Sequence, residues 1–346
     1  MAKGLRFDQL KSVNNPRSVH GIYPYRGKIS SVDASKIVAQ MPEGISLLDP
    51  FCGSGTIVYE AAKFGLDASG IDASPLAVLV SNGKLQIPAD FEEVESELSE
   101  HIKRAKASKL VPLKRESARH FHQFTWNQIS QLARRYEKMS PYLKACFVGA
   151  ISLSARGCNW YKWTSSSVGK NFDVKKEIDF NEKFQEKVRK HFFPIDSVGK
   201  VFLGDARKPE QTLRNTSIDA VFTSPPYFDC LDYTSYYARI VFDVLGWDRE
   251  GVRTSLIQTY KSYESDMKDV FDGLSRVIKP GGVIIFVVGD KKIHGEVVNG
   301  GEFFRSIAPW RHVRTVERSY SGTSSSVFDS INKTSRREQI VVWAND

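Results

Sequence analysis

The run Ile218-Asp219-Ala220-Val221-Phe222-Thr223-Ser224-Pro225-Pro226-Tyr227 decides how this chain is read. Mostly apolar, β-prone residues lead into a polar pair, two prolines and an aromatic ring. Such a pattern describes a buried strand that ends in a stiffened corner. Each proline fixes φ at about −65° and carries no N–H, so the carbonyls of Ser224 and Pro225 project as free acceptors. Tyr227 then stands at the carboxyl edge of the strand, where ligands bind in open α/β sheets. Rigid acceptors beside a flat ring suit a planar substrate that bears an NH₂ group. Taken alone, the run is equally a strand-ending Pro-Pro turn, and the remainder of the chain decides between the two.

The 346 residues suffice for one large or two ordinary domains. A hydrophobic content of 41% and a charged content of 26% fit a soluble globular protein. The longest aliphatic and aromatic run, Val283 to Val288, is far shorter than a membrane-spanning helix requires. The start, Met1 to Arg6, lacks the apolar core of a secretory signal. Cys52, Cys146, Cys158 and Cys230 are scattered with no C-x-x-C pair, which argues for a reducing compartment and against a zinc site or a disulfide framework. A cytoplasmic protein with no metal and no membrane partner is expected. The formal charge of +9 is uneven: residues 101–199 carry 20 Lys and Arg against 8 Asp and Glu, a net of +12, so the rest sums to −3. A basic middle suggests a polyanionic partner, the alternative being a solvated, lysine-rich helical surface.

The strand ends repeat a theme. Residues 45–49 read as a short buried strand ending in Asp49, followed by the tight loop Pro50-Phe51-Cys52-Gly53-Ser54-Gly55-Thr56 and a helix over 57–64. Glycines let the backbone turn sharply and approach a ligand, and the helix start offers free N–H groups. The third glycine of the dinucleotide fingerprint is replaced by Val58, and no Lys-Ser/Thr follows, which excludes a triphosphate P-loop. Asp49 would repel a pyrophosphate and welcome a cationic ligand. A second strand, 67–72, ends in Asp72, which lies 23 positions after Asp49, the separation at which an acid meets ribose hydroxyls in nucleoside-binding α/β folds. A helix over 75–85 completes the β-α-β-α unit.

Beyond residue 90 the composition becomes helical, basic and aromatic, with helices expected over 92–109, 142–153 and 170–190, and with Phe147 and Trp126 in the core. The segment Arg156-Gly157-Cys158-Asn159-Trp160-Tyr161-Lys162-Trp163 combines phosphate contact, base-edge bonding and stacking chemistry. Strands resume at 201–205, ending in Asp205, and at 218–223; a central strand follows at 283–290 and two final strands at 313–320 and 339–343.

With Asp49-Pro50-Phe51-Cys52-Gly53-Ser54-Gly55-Thr56 and Thr223-Ser224-Pro225-Pro226-Tyr227 together, the chain resembles the S-adenosylmethionine-dependent DNA amino-methyltransferases, which methylate cytosine N4 or adenine N6. The resemblance spans about residues 18–90 and 200–346. It implies a Rossmann-like class I methyltransferase fold, α/β, with a seven-stranded, mostly parallel sheet. It also implies one catalytic domain from 1–90 and 200–346, and an inserted basic helical region, 91–199, as the candidate DNA target-recognition region. The implied catalytic residues are Ser224, Pro225, Pro226 and Tyr227; Tyr25, Asp49, Phe51, Gly53, Gly55, Thr56, Asp72, Asp205 and Thr223 would hold S-adenosyl-L-methionine. Arg156, Asn159, Trp160, Tyr161, Lys162 and Trp163 are the candidate DNA contacts.

The resemblance implies a double-stranded DNA substrate, a target base turned out of the duplex, and a prokaryotic or phage source in which a cognate restriction endonuclease acts separately. Thr-Ser-Pro-Pro-Tyr leans towards cytosine N4, and Asp or Asn in place of Ser224 would lean towards adenine N6. With no Pro-Cys dipeptide in the chain, ring-carbon (C5) methylation is disfavoured. An RNA guanine-N2 methyltransferase and a non-catalytic DNA-binding regulator on the same fold remain as alternatives.

Overall fold

The runs expected as strands form one sheet, and the two that end in Asp49 and Asp72 lie side by side in it. A computed structural model describes residues 4–7, 18–25, 29–155, 174–196, 199–213, 217–226, 232–235, 237–293, 296–320 and 336–346. Its strands are β1 Ser46–Asp49, β2 Asp67–Asp72, β3 Lys200–Leu203, β4 Ile218–Thr223, β5 Ile278–Gly289, β6 Lys291–Ile293, β7 Glu296–Val298, β8 Arg311–Tyr320 and β9 Arg336–Ala344. Among the described residues seven of these form one sheet in the order β3-β2-β1-β4-β5-β9-β8, while β6 and β7 make a separate hairpin. β1 to β5 run parallel, and β9 lies antiparallel to both β5 and β8. This is the Rossmann-like class I methyltransferase topology. Strand order reverses where β1 meets β4, which opens a crevice at their carboxyl ends.

Strand alternation divides the core between the two faces. Leu47, Phe222, Val283, Ile285 and Val287 belong to one buried cluster, and Leu48, Val221, Ile284, Phe286 and Val288 to the other. The second is covered by α11 (Tyr260–Val277) and α12 (Gly300–Ile307). The first receives α1 (Ser31–Val38), α2 (Thr56–Lys63) and α3 (Pro75–Leu85). It also receives the described helices of the inserted stretch: α4 (Phe91–Ala107), α5 (Gln123–Ala133), α6 (Pro141–Ser154) and α7 (Phe180–Lys190). The polar residue in β4, Asp219, is paid for at the strand's far end, where it accepts hydrogen bonds from Ser46 and Lys279.

The inserted helices therefore share one apolar core with the sheet. α6 is buried along almost its whole length, and Phe147 and Trp126 are both interior. Asp90 caps α4, whose acidic first turn and basic last turn complement the helix dipole. Two expectations shift. α7 starts at Phe180, capped by the Asp179 side chain, and 174–179 hold no regular structure. β5 begins at Ile278, because that residue pairs with Ile218 ahead of the positive-φ Gly281 and a register shift. The β6–β7 hairpin, α12 and the short helices α8 (Pro209–Thr212) and α10 (Arg249–Ser255) were not expected from the sequence, nor was the full extent of α9 (Tyr237–Leu245).

Close approach of α6 to α3 depends on Gly83: a Cβ there would sit 2.3 Å from the Ala145 Cβ and 2.8 Å from the Pro141 carbonyl oxygen. Gly83→Ala is expected to destabilise the fold by about 1–3 kcal/mol through overpacking, against the usual gain of alanine in a helix. Denaturant unfolding measures it; an unchanged midpoint would mean that α6 does not lie against α3 as described.

Candidate active site

β1 delivers Asp49 to the crevice, and the chain then turns through Pro50–Gly55 before α2 begins. Gly53 and Gly55 have φ of 51° and 68°, a left-handed region that favours glycine. A side chain on Gly55 would also collide with Ser81, 2.6 Å away. The loop is tied from both flanks. Asp72, at the end of β2, accepts the Gly53 N–H at 2.9 Å and the Ser74 N–H at 2.8 Å. Asp49 accepts the Thr223 hydroxyl at 2.6 Å and the Phe51 N–H at 3.2 Å. That first bond joins the end of β4 to the end of β1, so the two motifs singled out in the sequence meet here.

Burial dominates the electrostatics. It raises the Asp49 carboxyl to about 7, against the opposing bonds from Thr223 and Phe51 and with the Asp72 charge adding to it. Burial likewise raises Asp72 to about 6, with the Ser74 and Gly53 N–H bonds pulling the other way. The Cys52 thiol and the Tyr25 phenol are pushed well up, first by burial and then by the negative charge of Asp72. Two desolvated acids on one wall favour a ligand that brings positive charge and hydroxyl donors.

The cleft encloses about 870 Å³, open solvent at its mouth included. Of the sequence-predicted cofactor residues, Tyr25, Asp49, Phe51, Gly53, Thr56, Asp72 and Asp205 line it, and so do Ser224 and Pro226 of the catalytic motif. Gly55, Thr223 and Pro225 do not line it: Gly55 packs on Ser81, and Thr223 is buried beneath Asp49. Tyr227, Arg156, Asn159, Trp160, Tyr161, Lys162 and Trp163 lie outside the described residues.

Asp205 is already engaged, accepting from the Arg207 N–H at 2.9 Å and from its Nε at 3.0 and 2.9 Å. Three bonds on about four lone-pair positions leave room for one further donor. Arg207 also bonds Asp266 on α11 at 2.7 Å.

Several lining residues were missed in the sequence reading. Tyr233 stacks on Tyr25 with centroids 6.2 Å apart and 23° between planes. Ser255, Leu256 and Ile257, between α10 and α11, close another side. The tyrosine-rich stretch 230–237 is a visible signal for Tyr233; nothing local marks 255–257. Tyr263 of α11 was also missed: its hydroxyl donates to the Pro226 carbonyl at 2.5 Å and so holds the corner.

The residues fit S-adenosylmethionine. Ser54 Oγ and Thr56 Oγ1 are buried at the cleft wall with no hydrogen-bond partner among the described residues, as expected of groups that await a polar ligand. Asp72 would take the ribose hydroxyls, Asp205 the adenine amine, and the acid-lined loop the cationic methionine end. Among the described residues no His, Cys, Asp or Glu side chains gather into a group that could hold a metal ion, and no helix is long and apolar enough to cross a membrane.

Strand order, glycine loop and acid-lined cleft define the class: a Rossmann-like class I methyltransferase fold whose cofactor is S-adenosyl-L-methionine. Within that class, residues 34–107 match a family profile described as RMKL-like, methyltransferase domain. The chain is 37% identical over 83 residues to the type II methyltransferase M.MjaII of Methanocaldococcus jannaschii, covering 24% of this chain and 16% of that one. It is 23% identical over 314 residues to the type II methyltransferase M.BsoBI of Geobacillus stearothermophilus, covering 75% and 60%. These matches support the resemblance to DNA amino-methyltransferases, though the chain spans less than two thirds of the length of either relative. Among solved structures, TrmN from Thermus thermophilus aligns over 95% of this chain and 53% of its own, at 11% identity and a TM-score of 0.38. A likeness that weak carries no argument, and the fold assignment rests on the strand order.

Because Asp49 and Asp72 are raised to about 7 and about 6, each holds its proton until the pH passes those values. A cationic ligand prefers the ionised forms, so cofactor affinity is expected to rise from about pH 5 to about pH 8, with protons released on binding. In the unliganded protein the sign is opposite: raised carboxyls contribute stability at low pH that is lost as pH climbs through about 7. Calorimetry in buffers of different ionisation enthalpy measures the release; pH-independent binding would contradict the assignment. Asp72→Ala is expected to weaken the cofactor in the same assay.

Proposed function

We propose that the protein is a site-specific DNA methyltransferase that moves a methyl group from S-adenosylmethionine to the exocyclic N4 amine of a cytosine turned out of duplex DNA. What supports this reading above all is that Ser224 and Pro226 line the same cleft as the glycine loop and Asp72. Acceptor corner and cofactor wall are within reach of one bound pair of reactants.

The chemistry needs what this corner offers. An exocyclic amine is a poor nucleophile because its lone pair is delocalised into the ring. Acceptors for both amine protons favour a pyramidal nitrogen with a localised lone pair; Ser224 Oγ, on the cleft wall, is the proposed first, and the carbonyl of Pro225, a residue set back from the wall, the proposed second. The Pro226 carbonyl is already taken by Tyr263, which fixes the corner. When bound, the cofactor supplies a methyl group activated by a positively charged sulfur. Nitrogen gains the methyl, sulfur becomes a neutral thioether, and one amine proton leaves through the acceptors to solvent. Tyr227 would stack on the target base, which must leave the duplex to reach the cleft. The 91–199 region, with Arg156, Asn159, Trp160, Tyr161, Lys162 and Trp163, is the proposed target-recognition and DNA-contact region. A separate restriction endonuclease of the same specificity is the partner this role implies, and the cytoplasm the compartment.

Purified protein is expected to transfer radioactive methyl to duplex DNA, and nucleoside mass spectrometry to find N4-methylcytosine. N6-methyladenine would move the acceptor to adenine, methylated RNA guanine would replace the DNA reading, and no transfer to any nucleic acid would leave a binding protein. Ser224→Ala and Tyr227→Ala are each expected to lower transfer by about 10²-fold or more with cofactor binding retained. Loss of cofactor binding in Tyr227→Ala would contradict its role at the base.

A further inference from the structure

Behind the glycine loop, on the side away from the cleft, lies a chain of buried ionisable groups that the reaction does not use. Lys84, near the end of α3, is 1% exposed, His20 in the N-terminal segment 2%, and Glu60 on α2 6%. Lysine is almost never so enclosed without partners. The Lys84 ammonium donates to the Ser54 carbonyl, inside the glycine loop, and lies 3.5 Å from His20 Nδ1. His20 Nε2 lies 2.7 Å from Glu60 Oε1. With an ammonium facing Nδ1, that nitrogen accepts, so Nε2 carries the hydrogen and donates to Glu60. The ring is then neutral and links a cation to an anion across the protein interior. Tyr59 fixes its plane by an edge contact at 5.2 Å.

One turn earlier on α3, Ser81 Oγ donates to the Gly53 carbonyl at 2.9 Å. Two successive loop carbonyls are thus drawn towards the same helix. In trans peptides this turns the Ser54 and Gly55 N–H groups to the opposite side, and the Gly55 N–H closes the turn onto the Cys52 carbonyl at 2.7 Å. Without these tethers, residues of positive φ would be free to relax.

We propose that Lys84 is a positioning residue for the cofactor, holding the Ser54 carbonyl and hence the shape of the glycine loop, while Glu60 acting through His20 keeps the ammonium charged inside the protein. The same chain of contacts fastens the Ser18–Tyr25 segment, which carries Tyr25 to the cleft, against α2 and α3. This rests on the cofactor site alone, so the identity of the methyl acceptor does not enter the test.

The test is calorimetric binding of S-adenosylhomocysteine to the full chain without DNA, beside thermal unfolding. Lys84→Met is expected to weaken binding at least about tenfold at temperatures where the variant is fully folded, and Lys84→Arg, which keeps charge and donors, to recover part of the loss. Ser81→Ala is expected to weaken binding less, and to add little in the Lys84→Met background because both act on one loop. Should Lys84→Met fail to fold, Lys84→Met/Glu60→Gln removes both charges and is read the same way. Wild-type affinity in a folded Lys84→Met, or in the double variant, overturns the proposal; so does a loss that Lys84→Arg does not relieve.

Discussion

A single hydroxyl–carboxylate hydrogen bond, Thr223 to Asp49 at 2.6 Å, joins the two strand ends on which the site is built. Thr223 is fully buried and Asp49 nearly so, and the bond is costly to leave unmade. It fixes the height at which β4 stops relative to β1. From that point the chain must leave as Ser-Pro-Pro on one strand and as the glycine loop on its neighbour. Two motifs separated by more than 160 positions are thereby brought to one edge.

Around that contact the protein spends buried charge with care. Asp49 and Asp72 stand on the ligand side and are pushed by burial towards their protonated forms. On the opposite side of the loop, Lys84 and Glu60 are compensated through His20. The contrast separates groups arranged to meet a ligand from groups arranged to hold the walls. A buried acid with no cationic partner among the described residues is the sort of group a charged ligand completes.

Much of this was legible in residue order. Strands ending in Asp49 and Asp72, and a third that stops at Leu203, two residues short of Asp205, are parallel strands whose carboxyl ends share one edge. α3 was bounded by Pro75 at its first position, a local signal that sequence carries well. What could not be read were contacts set by tertiary folding. Ser255, Leu256 and Ile257 belong to an unremarkable stretch and reach the cleft only because α10 and α11 bring them there. Arg207 taking up Asp205 likewise depends on where α11 places Asp266. Nor does lysine-rich composition before Asp179 show that α7 starts only at Phe180, because it is the distant Thr125 hydroxyl that accepts the N–H of Ile178 and donates to its carbonyl.

The burial of α6 has a bearing on how such enzymes diversify. A specificity element that shared no core with its scaffold could be traded between relatives as a cassette. Here Gly83 and Ala145 bring α6 into direct contact with α3, the helix that follows β2, and Phe147 meets Phe180 and Phe184 edge to face in a common interior. Removing the segment would strip one face of the catalytic body. Substitutions that keep the fold are therefore confined to outward-facing positions of the segment, with its buried framework left whole.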